Sequence, residues 1–109
     1  MEFIKMLNKS ELPKNGMRIM SIKGRDILLL NVNGSYYAIN NKCTHLGGSL
    51  GKGILNGTNI TCPRHGAIFD ITTGKNINEA KIGFIKMKVK DEETYPIKID
   101  GDDILVGIS

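Results

Sequence analysis

Cys43-Thr44-His45-Leu46-Gly47-Gly48 and Cys62-Pro63-Arg64-His65-Gly66-Ala67 contain every cysteine and every histidine of this 109-residue chain. Two thiols and two imidazoles, none spare, stand in two short segments. Thiolates are soft ligands and imidazoles borderline ones, and together they form a transition-metal ligand set. The order is interleaved: Cys-x-His, then Cys-x-x-His.

Three readings compete for the four residues. A Cys43–Cys62 disulfide would leave both histidines incidental and their spacing unexplained. A Cys₂His₂ zinc site has the right donors. Common zinc modules, however, run Cys-x₂₋₄-Cys and then His-x₃₋₅-His, and Cys-x-His is tight for two ligands on one ion. A [2Fe–2S] cluster held by two cysteines on one iron and two histidines on the other needs one Cys and one His from each of two facing loops. The chain supplies that division, and the pattern favours this third reading.

Around the two segments the sequence reads as short strands and turns. Met17–Ile22 and Asp26–Val32 are strand-like, the second carrying the buried-type run Ile27-Leu28-Leu29-Leu30. Asn33-Gly34 signals a two-residue hairpin returning through Ser35–Ile39. Asn40–Gly57 is glycine-rich without periodicity. Asn59–Thr61 and Ala67–Ile71 flank the second ligand pair, and Thr73-Gly74 closes a turn. Gly83–Lys90 alternates Ile85, Met87 and Val89 with lysines. Tyr95–Ile99 and Ile104–Ile108 form a last hairpin across 100–103. Helical periodicity never persists beyond about two turns. The expected fold is all-β: an antiparallel sandwich or small barrel, one domain over 1–109, with two cluster-binding loops within about 40–70 inserted in the scaffold.

Composition narrows the function. Lysine and arginine exceed aspartate and glutamate by 15 to 11, giving +4. The lysines are scattered and tryptophan is absent, so neither a basic stripe nor a stacking platform for nucleic acid is expected. No apolar run reaches the roughly 18 residues of a membrane span. Met1-Glu2-Phe3-Ile4-Lys5 lacks the pattern of a secretory leader. The expected location is the cytoplasm, where two cysteines serve as thiols or ligands more often than as a disulfide.

The two segments resemble the cluster-binding boxes of Rieske proteins. Thr73-Gly74-Lys75, Tyr95-Pro96-Ile97-Lys98-Ile99 and Gly101-Asp102-Asp103-Ile104 resemble soluble Rieske-type ferredoxins, the electron carriers of bacterial ring-hydroxylating oxygenases. The resemblance spans about 17–108 and is specific over 43–48 and 62–70. It departs over 76–90, where a proline common in the family is missing and the chain looks extended. The resemblance implies one [2Fe–2S] cluster on Cys43, His45, Cys62 and His65, with no catalytic residues. It further implies one-electron transfer from a reductase to a terminal oxygenase or similar acceptor, docking near His45 and His65. Alternative readings are an accessory subunit resembling the small subunit of nitrite reductases, or a zinc-stabilised interaction module. An oxygenase needs a second, iron-bearing domain for which the chain has neither the length nor the histidines.

Formal charge explains the histidines. Two ferric ions, two sulfides, two thiolates and two neutral imidazoles sum to zero, so an electron enters more easily than into a four-thiolate cluster. High-potential members of the family have a Ser after the second His-Gly, a Tyr two residues later, and an extra cysteine in each loop. Here those positions are Ala67, Phe69, Gly48 and Arg64. The resemblance therefore implies a potential near the low end of the Rieske range, about −150 mV. Gly47, Gly48 and Gly66 are expected to admit backbone N–H groups close to sulfur. Lys42 and Arg64 are expected to place positive charge near the electron exit.

Overall fold

The computed structural model describes the chain except residues 45, 46, 65, 79, 83, 84 and 88, and describes 80–82 and 85–87 by backbone alone. Its elements are β1 (Glu2–Asn8), β2 (Met17–Ile22), β3 (Arg25–Val32), β4 (Ser35–Asn40), β5 (Ile54–Asn56), β6 (Asn59–Thr61), β7 (Ile68–Asp70), β8 (Ala80–Ile82), β9 (Ile85–Met87), β10 (Thr94–Tyr95), β11 (Ile97–Asp100) and β12 (Asp103–Ile108). Two single 3₁₀ turns, Lys9–Glu11 and Leu50–Lys52, complete them. Among the described residues every strand pairing is antiparallel. The all-β expectation holds.

The strands form sheets in the orders β1-β12-β11, β10-β4-β3-β2, β5-β6-β7 and β8-β9. The four-stranded sheet lies between the first and third. Its central strand β3 shows why. Successive strand residues point to opposite faces, yet residues 27 to 32 are all buried. Ile27 and Leu29 join the core against β12, with Leu7, Tyr95, Ile104 and Val106. Leu28, Leu30 and Val32 join a second core with Ile39, Ile60, Phe69 and both cysteines. An unbroken apolar run is what a strand covered on both faces requires. Each of these side chains gains about 1.5–3 kcal/mol by burial. The neighbouring Tyr36 and Tyr37 split likewise between the two cores, as packing residues of the hairpin.

The turn chemistry follows the sequence. Asn33 (φ 52°) and Gly34 (φ 89°) are both left-handed, as a type I′ hairpin demands, and β3 pairs with β4 from Val32↔Ser35 to Ile27↔Asn40. The seven-residue β1 and the three-residue β5 were not expected. β1 lines the edge of β12, and β5 emerges from the glycine-rich 40–57 stretch to pair with β6. Among the described residues no helix is long and apolar enough to cross a membrane.

Candidate metal centre

β4 delivers the first Cys/His segment and the β6–β7 hairpin holds the second. The two loops are built alike. The Cys43 N–H donates to the Gly48 carbonyl at 2.6 Å and the Gly47 N–H to the Cys43 carbonyl at 3.1 Å. In the second loop the Cys62 N–H donates to the Ala67 carbonyl at 2.8 Å and the Gly66 N–H to the Cys62 carbonyl at 3.3 Å. Gly47 and Gly66 are left-handed, with φ of 72° and 75°. Each loop is therefore a knuckle running from a cysteine to a glycine four residues on. Glycine is the residue that closes it without steric cost.

The cysteines at the base of both knuckles are buried, at 2% and 1% exposure, in one core with Leu28, Ile39, Leu50 and Phe69. They are not joined in a disulfide. The knuckles touch each other. A Cβ built on Gly48 would lie 2.8 Å from the Cys62 sulfur and 3.1 Å from Arg64 Cγ. Positions 48 and 64, which correspond to the disulfide of high-potential Rieske proteins, thus face one another here as glycine and arginine. Two soft sulfur donors held side by side in one buried core fit a thiophilic metal cluster bound from inside the fold. His45 and His65 lie outside the described residues.

Surrounding residues fix the knuckles. Lys42 and Ser49 form an isolated antiparallel bridge across the neck of the first. Buried Asn41 accepts the Gly51 N–H at 2.8 Å and donates to Ser49 Oγ at 2.9 Å, holding the 3₁₀ turn that follows. Lys42 and Arg64 are exposed, as expected. Lys42 Cε lies 3.2 Å from a Cβ built on Gly47, so its stem lies along the first knuckle.

Contributors that went unnoticed in the sequence come from the stretch that departs from the family pattern and from the two residues after it. Asn78 accepts the Ile68 N–H at 2.7 Å and donates to the Gly66 carbonyl at 2.8 Å. Asn76 donates to the Ile68 carbonyl at 3.1 Å, and its own N–H reaches Asp91 Oδ1 at 2.8 Å. Glu92 is 5% exposed and accepts the Thr44 N–H at 2.8 Å through Oε2, while Oε1 has no hydrogen-bond partner among the described residues. Burial pushes the Glu92 carboxyl up to about 7, against the opposing pull of the Thr44 N–H and the Asn40 side chain. The asparagines are turn formers after Gly74 and gave a usable signal. Asp91-Glu92-Glu93 reads as a solvated acidic run and gave none.

Comparison with known proteins agrees with this geometry. The Rieske [2Fe-2S] domain family matches residues 2–87. The ferredoxin component of the naphthalene 1,2-dioxygenase system of Pseudomonas aeruginosa is 32% identical over 99 residues, covering 91% of this chain and 88% of the relative. The ferredoxin subunit of 3-phenylpropionate/cinnamic acid dioxygenase of Shigella flexneri is 34% identical over 84 residues, covering 75% and 72%. Among solved structures, the ferredoxin of carbazole 1,9a-dioxygenase from Nocardioides aromaticivorans superposes with a TM-score of 0.85 at 25% identity, covering 98% of both chains. A fold likeness at 23% identity and a TM-score of 0.82 is a chain of the complex of reduced oxygenase and oxidized ferredoxin in carbazole 1,9a-dioxygenase. Paired knuckles, buried thiols and these matches together place the chain in the Rieske [2Fe-2S] domain family, with the two-iron, two-sulfide cluster of that family as its cofactor.

Proposed function

We propose that this protein is a one-electron carrier, working in the cytoplasm, that takes electrons from a reductase and delivers them to the terminal oxygenase of a ring-hydroxylating system. The observation that carries the reading is the pair of matched knuckles that sink Cys43 and Cys62 into the core. In this reading Cys43 and Cys62 hold the inner iron, and His45 and His65 hold the outer one. The bound cluster supplies one-electron redox chemistry near the low end of the Rieske range. The chain's own residues exclude water from the sulfurs, fix the loops and present their outer edge to a partner. The relatives named above are ferredoxin components of dioxygenase systems.

The visible and paramagnetic spectra test the ligand assignment. A red-brown protein with two irons per chain, gaining an EPR signal on one-electron reduction, is expected. A colourless protein holding one zinc would overturn the assignment.

Charge around the first knuckle supports a choice of partner face. Lys42 lies along Gly47, Arg64 packs on Gly48, and the Lys90 carbonyl accepts the Thr44 hydroxyl at 2.6 Å. All three are exposed cationic residues bordering one loop. Such a rim steers an acidic docking face toward the outer edge of the site. Electron transfer to the physiological oxygenase is expected to slow as salt rises, and Lys42→Glu with Arg64→Glu to slow it at low salt. A rate indifferent to both would remove the acidic partner face from the proposal.

A further inference from the structure

Residues 74–78 and residues 91–92 are pinned to the two ligand knuckles, one anchor on each. In the former stretch, Asn78 bridges Gly66 and Ile68 around the second knuckle with two hydrogen bonds of 2.8 and 2.7 Å. In the latter, Glu92 accepts the Thr44 N–H within the first knuckle. Two further bonds tie the stretches to each other. The Asn76 N–H donates to Asp91 Oδ1 at 2.8 Å, and the Glu92 N–H to the Gly74 carbonyl at 2.7 Å.

The pairing of β10 explains how an acidic residue reaches this place. Tyr95↔Ala38 and Thr94↔Ile39 run antiparallel along β4, and the Asn40 N–H continues the ladder to the Glu93 carbonyl. One step further back along the chain, Glu92 comes opposite the start of the first knuckle. Its side chain is buried there although burial raises the cost of its charge. A surface position was open to it, as Asp91 and Glu93 on either side are exposed.

We infer that Glu92 and Asn78 are positioning residues for the cluster. Together they make residues 74–78 and 91–92, tied to each other by the two bonds from the Asn76 and Glu92 N–H groups, a polar strap that fixes the two ligand knuckles relative to one another. Glu92 sets the peptide that joins Cys43 to Thr44. Asn78 sets the carbonyl of the glycine that closes the Cys62 knuckle. Each acts through backbone that carries the ligands. The inference rests on the assignment of Cys43 and Cys62 as ligands.

The test compares loaded wild type with Glu92→Ala, Glu92→Gln and Asn78→Ala at a pH well below the raised pKa of Glu92, where its carboxyl is protonated and glutamine matches it in charge. Glu92→Ala strands the Thr44 N–H. Amide hydrogen exchange across 43–50 is expected to accelerate, the EPR g-values to shift, and the cluster half-life in air to fall by about tenfold or more. Glu92→Gln retains a carbonyl acceptor and is expected to restore all three. Asn78→Ala is expected to loosen 66–68 with the same spectral consequence, which keeps the inference testable should Glu92→Ala fail to fold. Wild-type exchange, g-values and half-life in folded Glu92→Ala would overturn the inference, as would a folded Glu92→Gln as impaired as the alanine variant. A wild-type protein without the Rieske spectrum would overturn the ligand assignment instead, so the two failures are distinguishable.

Discussion

Alanine at position 48 is expected to strip the protein of its cluster. Gly48 is buried and its φ is outside the left-handed region, so a side chain there meets no backbone penalty. What it meets is the second knuckle. Its Cβ would fall 2.8 Å from the Cys62 sulfur and 3.1 and 3.3 Å from Arg64 Cγ and Cδ. The arginine stem can give way, whereas the sulfur sits at the base of a closed hydrogen-bonded loop in a close-packed core. Overpacking of this kind costs about 1–3 kcal/mol. Placed on a sulfur that the proposed assignment gives to the cluster, that cost becomes a fall of about ten- to hundredfold in cluster retention. Iron per chain and visible absorbance after purification measure it. Gly57→Ala is the control: Gly57 has a φ of 61° but nothing within 4 Å of its Cβ, so alanine there strains the β5–β6 turn and leaves the cluster in place. A fully loaded Gly48→Ala protein with an unchanged spectrum would show that the knuckles do not approach as closely as their geometry implies.

The same contact shows what could be read from the residues alone. Cys43 and Cys62 stood out because the chain has no other thiol, and strand β3 because four consecutive apolar residues leave no solvent face. The Asn33-Gly34 hairpin was legible because few residue pairs accept two left-handed conformations. The equivalence of the two knuckles was concealed. Counted to histidine they differ, at two and three residues. Counted to the left-handed glycine they agree, at four, and it is the glycine that closes the hydrogen bonds. β5 lay hidden because three strand residues among glycines carry no period. Glu92 was illegible for a different reason. Local composition places an acidic triplet in solvent, and only the register of β10 on β4 turns its middle member inward.

Introducing hydroxyls beside the second knuckle is expected to raise the midpoint potential. Ala67 and Phe69 are both fully buried, and neither offers a donor. Ala67 already belongs to the knuckle, its carbonyl accepting the Cys62 N–H at 2.8 Å. Phe69 lies in β7 opposite Ile60 and shares the core of both cysteines. A donor aimed at sulfur binds the more negative, reduced state more strongly, so reduction becomes more favourable. A differential of about 1.4 kcal/mol per bond corresponds to about 59 mV for one electron. Ala67→Ser and Phe69→Tyr are thus each expected to move the midpoint upward by about 50 mV, and the pair by about 100 mV, from a starting value near −150 mV. Ala67→Ser is the cleaner test, since one oxygen is added to an already polar turn. In Phe69→Tyr an oxygen that missed sulfur would be stranded in the core at a cost of about 1–3 kcal/mol. Thermal melting separates the two outcomes: a raised potential with unchanged stability means that the hydroxyl has found sulfur, and lowered stability with an unchanged potential means that it has not. Protein-film voltammetry of wild type sets the origin, and a wild-type midpoint well above zero would show that something other than these two missing hydroxyls sets the potential.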